Sequence, residues 1–293
     1  MKSTRKSITA WMIMLSAILL AFSGCSRPEN RQAGAGKKTI MVKGSDTMVH
    51  LVSTWAENFM KQSQTIQISV TGGGSGTGIA ALINGTADIC AASRDMKQEE
   101  IDQARQRSVE PMEIAVALDG IAVVVNPSNP VTALTMEQLE KIYTGQYDNW
   151  SQVGGQDAPI VLLSRESSSG TYVFFQEHVL KKKDYAPSAR LMPATSAIVQ
   201  SVAADAQAIG YVGLGYAAEA GSQVRMVPVK ADDASPAVEP SEATVKSGAY
   251  SISRALYYYT NGEPQGPVKE FVDYCLGTEG QRIVSETGYI TIN

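Results

Sequence analysis

The sequence predicts an α/β fold built from mainly parallel sheets covered by helices. Strand-like apolar runs alternate with helix-period apolar spacing from Thr39 to the C-terminus, and the loops between them are short. Residues 121–125 (IAVVV) are apolar at every position, as a strand buried on both faces is. The chain has 293 residues, which at ~150 per domain suggests two domains. It is 44% hydrophobic and 18% charged, apolar enough for real cores and too apolar for disorder.

Residues 1–24 read as an export signal. Lys2, Arg5 and Lys6 precede the apolar run 8–22, and Ser23 and Gly24 lead to Cys25. That run of 15 residues falls short of a comfortable membrane span. Lys+Arg 25 against Asp+Glu 29 gives −4; loss of the signal removes three positive charges and leaves 22 against 29, or −7. A net-acidic chain with no Lys/Arg-rich stretch is a poor nucleic-acid binder, because such binding rests on neutralised phosphates. Ser23-Gly24-Cys25 resembles a bacterial lipobox, with Phe22 where that pattern prefers Leu. Cys25 is therefore the expected lipidation point, an ordinary secretory signal with a chance cysteine being the other reading. Residues 25–38, polar and without periodicity, are expected to form a flexible tether.

Residues 39–42 read as a strand. Met48, Leu51, Val52, Trp55 and Phe59 then share one helix face. A strand follows at 66–70, a short helix at 79–83 and a strand at 87–91. After the strand 121–125 come a helix at 135–143, a strand at 160–163, helices at 171–180 and 196–206, and a strand at 209–212. Residues 231–239 form a surface loop by composition. A strand at 255–259 and helices at 267–276 and 279–286 complete the chain. Cys90 and Cys275 stand at apolar positions and read as buried residues, with one disulfide between them left open.

Three segments follow strands and open helices with glycines and hydroxyls. They are Gly44-Ser45-Asp46-Thr47, the run 72–78 (GGGSGTG) with Ser75, Gly76 and Thr77, and the run 165–171 from Arg165 to Ser169-Gly170-Thr171. A helix N-terminus leaves its first N–H groups unpaired and carries about half a positive charge, so it can hold an anion. Glycine lets backbone come close, hydroxyls add donors, and Arg165 offers a two-pronged charged fork. For any one loop simple helix capping is the better explanation; the three together favour an oxyanion site. Enzyme motifs fail on detail: there is no G-x-G-x-x-G, no Walker lysine and no G-x-S-x-G around Ser75. His50 and His178 are isolated and read as helix-surface residues. No catalytic constellation, metal site or cofactor is expected.

At these residues the chain resembles the PstS family, the phosphate-binding proteins of ABC importers, from about residue 39 to the C-terminus. Arg165-x-x-x-Ser169-Gly170-Thr171 matches the family's arginine and Ser-Gly-Thr motif position for position. Gly44 to Thr47 resembles its first phosphate loop and Gly74 to Gly78 its second. Ala87 to Arg94 is similar to the third, and Ala208 to Val212 to a family strand signature. The resemblance implies a two-lobed type II periplasmic-binding-protein fold, each lobe a mainly parallel sheet flanked by helices, joined by a hinge. Residues 39–117 and 254–293 would form one lobe and 118–253 the other. Phosphate would sit between them, held by Ser45, Thr47, Ser75, Gly76, Thr77, Ser93 and Arg94 from the first lobe and by Arg165, Ser169, Gly170 and Thr171 from the second.

One departure bears on selectivity. Some members carry, after the serine of the third motif, an aspartate that accepts the proton of hydrogen phosphate and so excludes sulfate; here that position is Arg94. Arg94 is then either a second cationic contact or a solvated arginine. Discrimination still needs a carboxylate, since one facing an unprotonated oxyanion repels it. Asp119 is the first candidate and Asp46 the second, with a turn residue and an N-cap as their plainer readings. The expected function is an extracytoplasmic, lipid-anchored, monomeric receptor that delivers inorganic phosphate to a membrane permease and does not act on nucleic acid. A receptor for sulfate, molybdate or tungstate is the alternative of the same class, and a secreted phosphatase or hydrolase the alternative of another.

Overall fold

In the computed structural model, which describes residues 38–292, a nine-stranded sheet runs through the molecule. In chain order the elements are β1 (Lys38–Gly44), α1 (Val49–Gln62), β2 (Ile66–Thr71), α2 (Ser75–Ile83), β3 (Ile89–Ala92), α3 (Gln98–Gln106) and β4 (Pro111–Val125). There follow β5 (Leu134–Thr135), α4 (Met136–Tyr143), β6 (Val161–Arg165), α5 (Gly170–His178), β7 (Arg190–Met192), α6 (Thr195–Ala204), β8 (Ala208–Gly213) and α7 (Leu214–Ala220). The chain ends with β9 (Arg225–Val227), β10 (Val229–Lys230), α8 (Glu242–Lys246), β11 (Ser253–Asn261), α9 (Gly266–Leu276) and α10 (Thr278–Glu286). The signal, the tether and Cys25 lie outside the described residues. Among the described residues no helix is long and apolar enough to cross a membrane.

Side-chain alternation decides how the sheet is covered. Successive strand residues point to opposite faces, so in β11 Leu256 and Tyr258 join a core with Ile40, Val42, Trp55 of α1 and Phe271 of α9. Tyr257 and Tyr259 turn the other way, to Ile79 and Leu82 of α2 and Ala104 of α3. The run 121–125 divides likewise. Ile121, Val123 and Val125 pack with Leu139 of α4 and Phe175 of α5, and Ala122 and Val124 with Ile198 and Val202 of α6. Helices therefore cover both faces, which is why these strands tolerate no polar alternate. Each of the Val, Leu and Ile side chains among them contributes about 1.5–3 kcal/mol by burial.

The strand order is β2-β1-β3-β11-β4-β8-β6-β7, with β9 also on β4. The wings β2-β1-β3 and β8-β6-β7 are parallel, as the βα repeats require. The middle is antiparallel: β11 against β3 and β4, and β4 against β8 and β9. The cause is connectivity, since β4 takes the chain out of one half of the sheet and β11 brings it back. β4 changes partner on the way: residues 111–120 pair with β11, whereas 121–125 pair with β8.

Cys90 and Cys275 are buried free thiols in separate cores, not a disulfide. Burial pushes both thiols well above their usual pKa, so both pack as small apolar groups.

Candidate functional site

Strand directions bring the predicted loops together. β1, β2 and β3 run the same way as β4, toward the second half, while β6 and β8 run against it, toward the first. The C-terminal ends of both parallel wings thus face each other across the place where β4 changes partner. Helix N-termini gather at such strand ends, and ligands bind there in open α/β sheets.

The hydroxyls meet at this place. Ser45 Oγ donates to Ser93 Oγ at 2.8 Å, and Ser93 N–H donates to Ser75 Oγ at 3.0 Å. From the opposite half, Thr171 Oγ1 lies 2.7 Å from Thr47 Oγ1. Ser169 caps α5, its Oγ accepting from the N–H groups of Thr171 and Tyr172. All six residues are buried. The loops also touch through backbone: Gly76 N–H donates to the Ser168 carbonyl at 3.0 Å. Gly74, with φ +103°, takes a conformation only glycine adopts freely, and a Cβ there would collide with that carbonyl. A Cβ on Gly170 would likewise run into the hydroxyls of Ser75 and Ser93.

Two predicted contacts depart from expectation. Thr77 is exposed and turns its Oγ1 back to the Gly73 carbonyl at 2.8 Å, closing the first turn of α2 instead of joining the cluster. Arg94 is neither solvated nor a free cation. Its Nη1 and Nη2 donate to Glu100 at 2.8 and 2.7 Å, so the guanidinium is tied to the first turn of α3. Burial works against charge on both groups, yet the paired hydrogen bonds win, holding Glu100 below the usual carboxylate range and raising Arg94.

Arg165 is 2% exposed, and much of its fork serves its own half. Nε donates to the Met192 carbonyl at 3.2 Å, Nη1 to Thr195 Oγ1 at 2.6 Å and Nη2 to the Pro193 carbonyl at 3.0 Å. Asp46 reaches across from the first half, its Oδ2 3.4 Å from Arg165 Nη1 and accepting from Thr195 N–H at the start of α6 at 2.7 Å. Asp119 is fully buried, its Oδ1 accepting from Leu214 N–H and its Oδ2 from Arg254, both at 3.1 Å. Burial pushes the Asp119 carboxyl up, against the pull of Arg254 and the Leu214 N–H.

Arg254 was not among the residues singled out by sequence. It sits directly opposite Asp119 in the β4–β11 ladder, and donates to the Ser93 carbonyl at 2.6 Å and to Thr171 Oγ1 at 2.9 Å. Its only sequence signal was a charge before a strand of tyrosines. His50 and His178 stay apart from the cluster: the recorded bonds of its hydroxyls go to other hydroxyls, backbone groups and Arg254. Such an arrangement can donate hydrogen bonds to an anion; among the described residues no histidine is bonded to a serine of the cluster.

A family model described as the PBP superfamily domain matches residues 29–279. The phosphate-binding protein PstS of Pseudomonas aeruginosa is 32% identical over 282 residues, 90% of this chain and 86% of its own. The chain belongs to the PstS family. The PstS of Bacillus subtilis is 30% identical and covers 98% of this chain and 95% of its own length. A solved structure from Clostridium perfringens, described as a phosphate ABC transporter substrate-binding protein with bound phosphate, is 32% identical. It covers 87% of this chain and 100% of its own, with a TM-score of 0.79. The PstS family comprises binding receptors, not enzymes, and the doubly covered mixed sheet is its type II periplasmic-binding-protein fold.

Proposed function

We propose that this chain binds inorganic phosphate where the two halves of the sheet face each other, and delivers it to an ABC-importer permease. The observation that supports this best is the convergence of three separate glycine- and hydroxyl-rich loops, with Ser45, Ser75 and Ser93 bonded together and Thr47 against Thr171. Ser45, Thr47, Ser75, Gly76 and Ser93 supply donors from one half. Arg165, Ser169, Gly170 and Thr171 supply them from the other. The halves correspond to lobes of residues 39–117 with 254–293 and of 118–253. They move about the crossings near Gly120 and Ser253, where β4 changes partner and β11 begins. Closure replaces the ion's water with fixed donors. The receptor acts as a monomer outside the cytoplasm, held at the membrane surface by lipid on Cys25.

Asp119 or Asp46 accepts the proton of hydrogen phosphate and so rejects sulfate. Titration calorimetry with phosphate, sulfate and molybdate, across the second ionisation of phosphate, tests the reading. Phosphate alone should give saturable heat. Asp119→Asn should keep phosphate binding and admit sulfate; unchanged selectivity assigns the role to Asp46. One observation favours a second reading, a receptor for another tetrahedral oxyanion: Asp46 and Asp119 each already engage an arginine. Tighter binding of sulfate or molybdate than of phosphate would establish it.

A further inference from the structure

We propose that Arg254 is the second cation of the ligand site, and that Asp119 sets selectivity by acting through it. This rests on the phosphate reading above, with Asp119 acting through Arg254 in place of taking the ligand's proton itself. Register places Arg254 there: it is the direct cross-strand partner of Asp119 in β11, at the crossing between halves. Its side chain is 3% exposed and that of Asp119 0%, with Nη2 and Oδ2 3.1 Å apart. The same Nη2 donates to Thr171 Oγ1 at 2.9 Å, and Nη1 donates to the Ser93 carbonyl at 2.6 Å. Ser93 is bonded to Ser45 and Ser75, and Thr171 to Thr47. One guanidinium therefore holds both hydroxyl groups, and it belongs to the strand that bends if the halves part.

The other buried arginines are tied elsewhere through their Nη atoms, Arg94 to Glu100 and Arg165 to acceptors of its own half; Arg94 Nε is also buried without a partner, so what distinguishes Arg254 is its bonds to the cluster. Among the described residues Arg254 is the arginine bonded directly to a hydroxyl of the cluster. A guanidinium carries five N–H donors, and three bonds are made here; Nε is buried with no partner. A buried unpaired donor is costly, whereas a charge-assisted bond to an oxyanion is strong. Asp119 is a positioning residue. It draws Nη2 to one side and offsets the guanidinium charge, so that the site favours singly charged dihydrogen phosphate over sulfate, a dianion.

The test is calorimetric titration of phosphate and sulfate into the wild type, Arg254→Met, Arg254→Lys, Asp119→Asn and the double variant Asp119→Asn/Arg254→Met. Arg254→Met should weaken phosphate binding by about tenfold or more, and Arg254→Lys by less, since it keeps the charge without the fork. Asp119→Asn should admit sulfate only while Arg254 is present and change nothing further in the double variant. A cavity of about 370 Å³ adjoins Arg254 between Lys97, Phe174 and His178. Methylguanidinium entering there should restore part of the affinity of Arg254→Ala, which loss of fold would not allow. Wild-type affinity in a folded Arg254→Met, or in Arg254→Lys should the first not fold, overturns the proposal. Additive effects of the two positions overturn the coupling. A wild type that takes up neither anion removes the phosphate reading and this proposal with it.

Discussion

Arg94 shows how far one neighbour can redirect a side chain. Its position in the sequence suggests a ligand contact, but Glu100, six residues on, claims both of its Nη atoms. The pair makes a pH-dependent contribution whose sign follows from Glu100. That carboxyl is held below its unfolded value of about 4.3, so its stabilisation is present above that pH and lost as pH falls through the depressed value. Glu100→Gln should cost about 1.5–3 kcal/mol at neutral pH, in thermal unfolding, because it leaves the buried Arg94 without its charge partner, and the difference should close in acid. Arg165→Met should cost more, about 3–5 kcal/mol, because it leaves Asp46 without its charge partner. It should also weaken phosphate binding. The hydroxyl contacts were legible because capping chemistry is local: a strand, a glycine, then Ser or Thr. Arg254 was not, since its meaning comes from a partner 135 positions away, and no spacing rule encodes strand register at that range.

At the scale of elements, α5 joins stability to binding. Ser169 caps it, and Ser169→Ala should cost about 1 kcal/mol in urea unfolding. Gly170→Ala places a methyl against Ser75 and Ser93, so the facing loops must part. We expect about 1–3 kcal/mol of destabilisation and at least about tenfold weaker phosphate binding from that change. The helices and strands with a strong apolar period were readable from sequence, as α1, β2 and α10 show. Several others were not. α3 buries only Ala104 fully and carries one other apolar residue, Ile101, α8 has 5 residues, and the first part of β4 carries Glu113, Asp119 and Gly120 among its apolar positions. The expectation of mainly parallel sheets came from the βα repeats. It missed the antiparallel centre because two strands that carry a chain out and back leave no local signature.

For the molecule as a whole, net charge opposes the ligand. The chain without residues 1–24 carries −7, and yet is proposed to capture a phosphate anion. Salt screens exposed charge beyond about 8–10 Å, so whole-protein repulsion is weak at ordinary ionic strength. Phosphate affinity should therefore change little, by less than about threefold, as salt is raised. The same measurement should respond strongly to loss of a single buried donor. A second consequence concerns the hydrogen bond from Gly76 to the Ser168 carbonyl, joined by that of Ser168 Oγ to Gly73. These bonds link the halves using protein groups alone. In the proposed closing receptor they would add the same free energy to the shut form whether or not it is loaded, and so set how often an empty receptor is shut. On that reading a change there would shift the phosphate level at which the receptor fills without altering one ligand contact, so that threshold and chemical selectivity would be set by different groups.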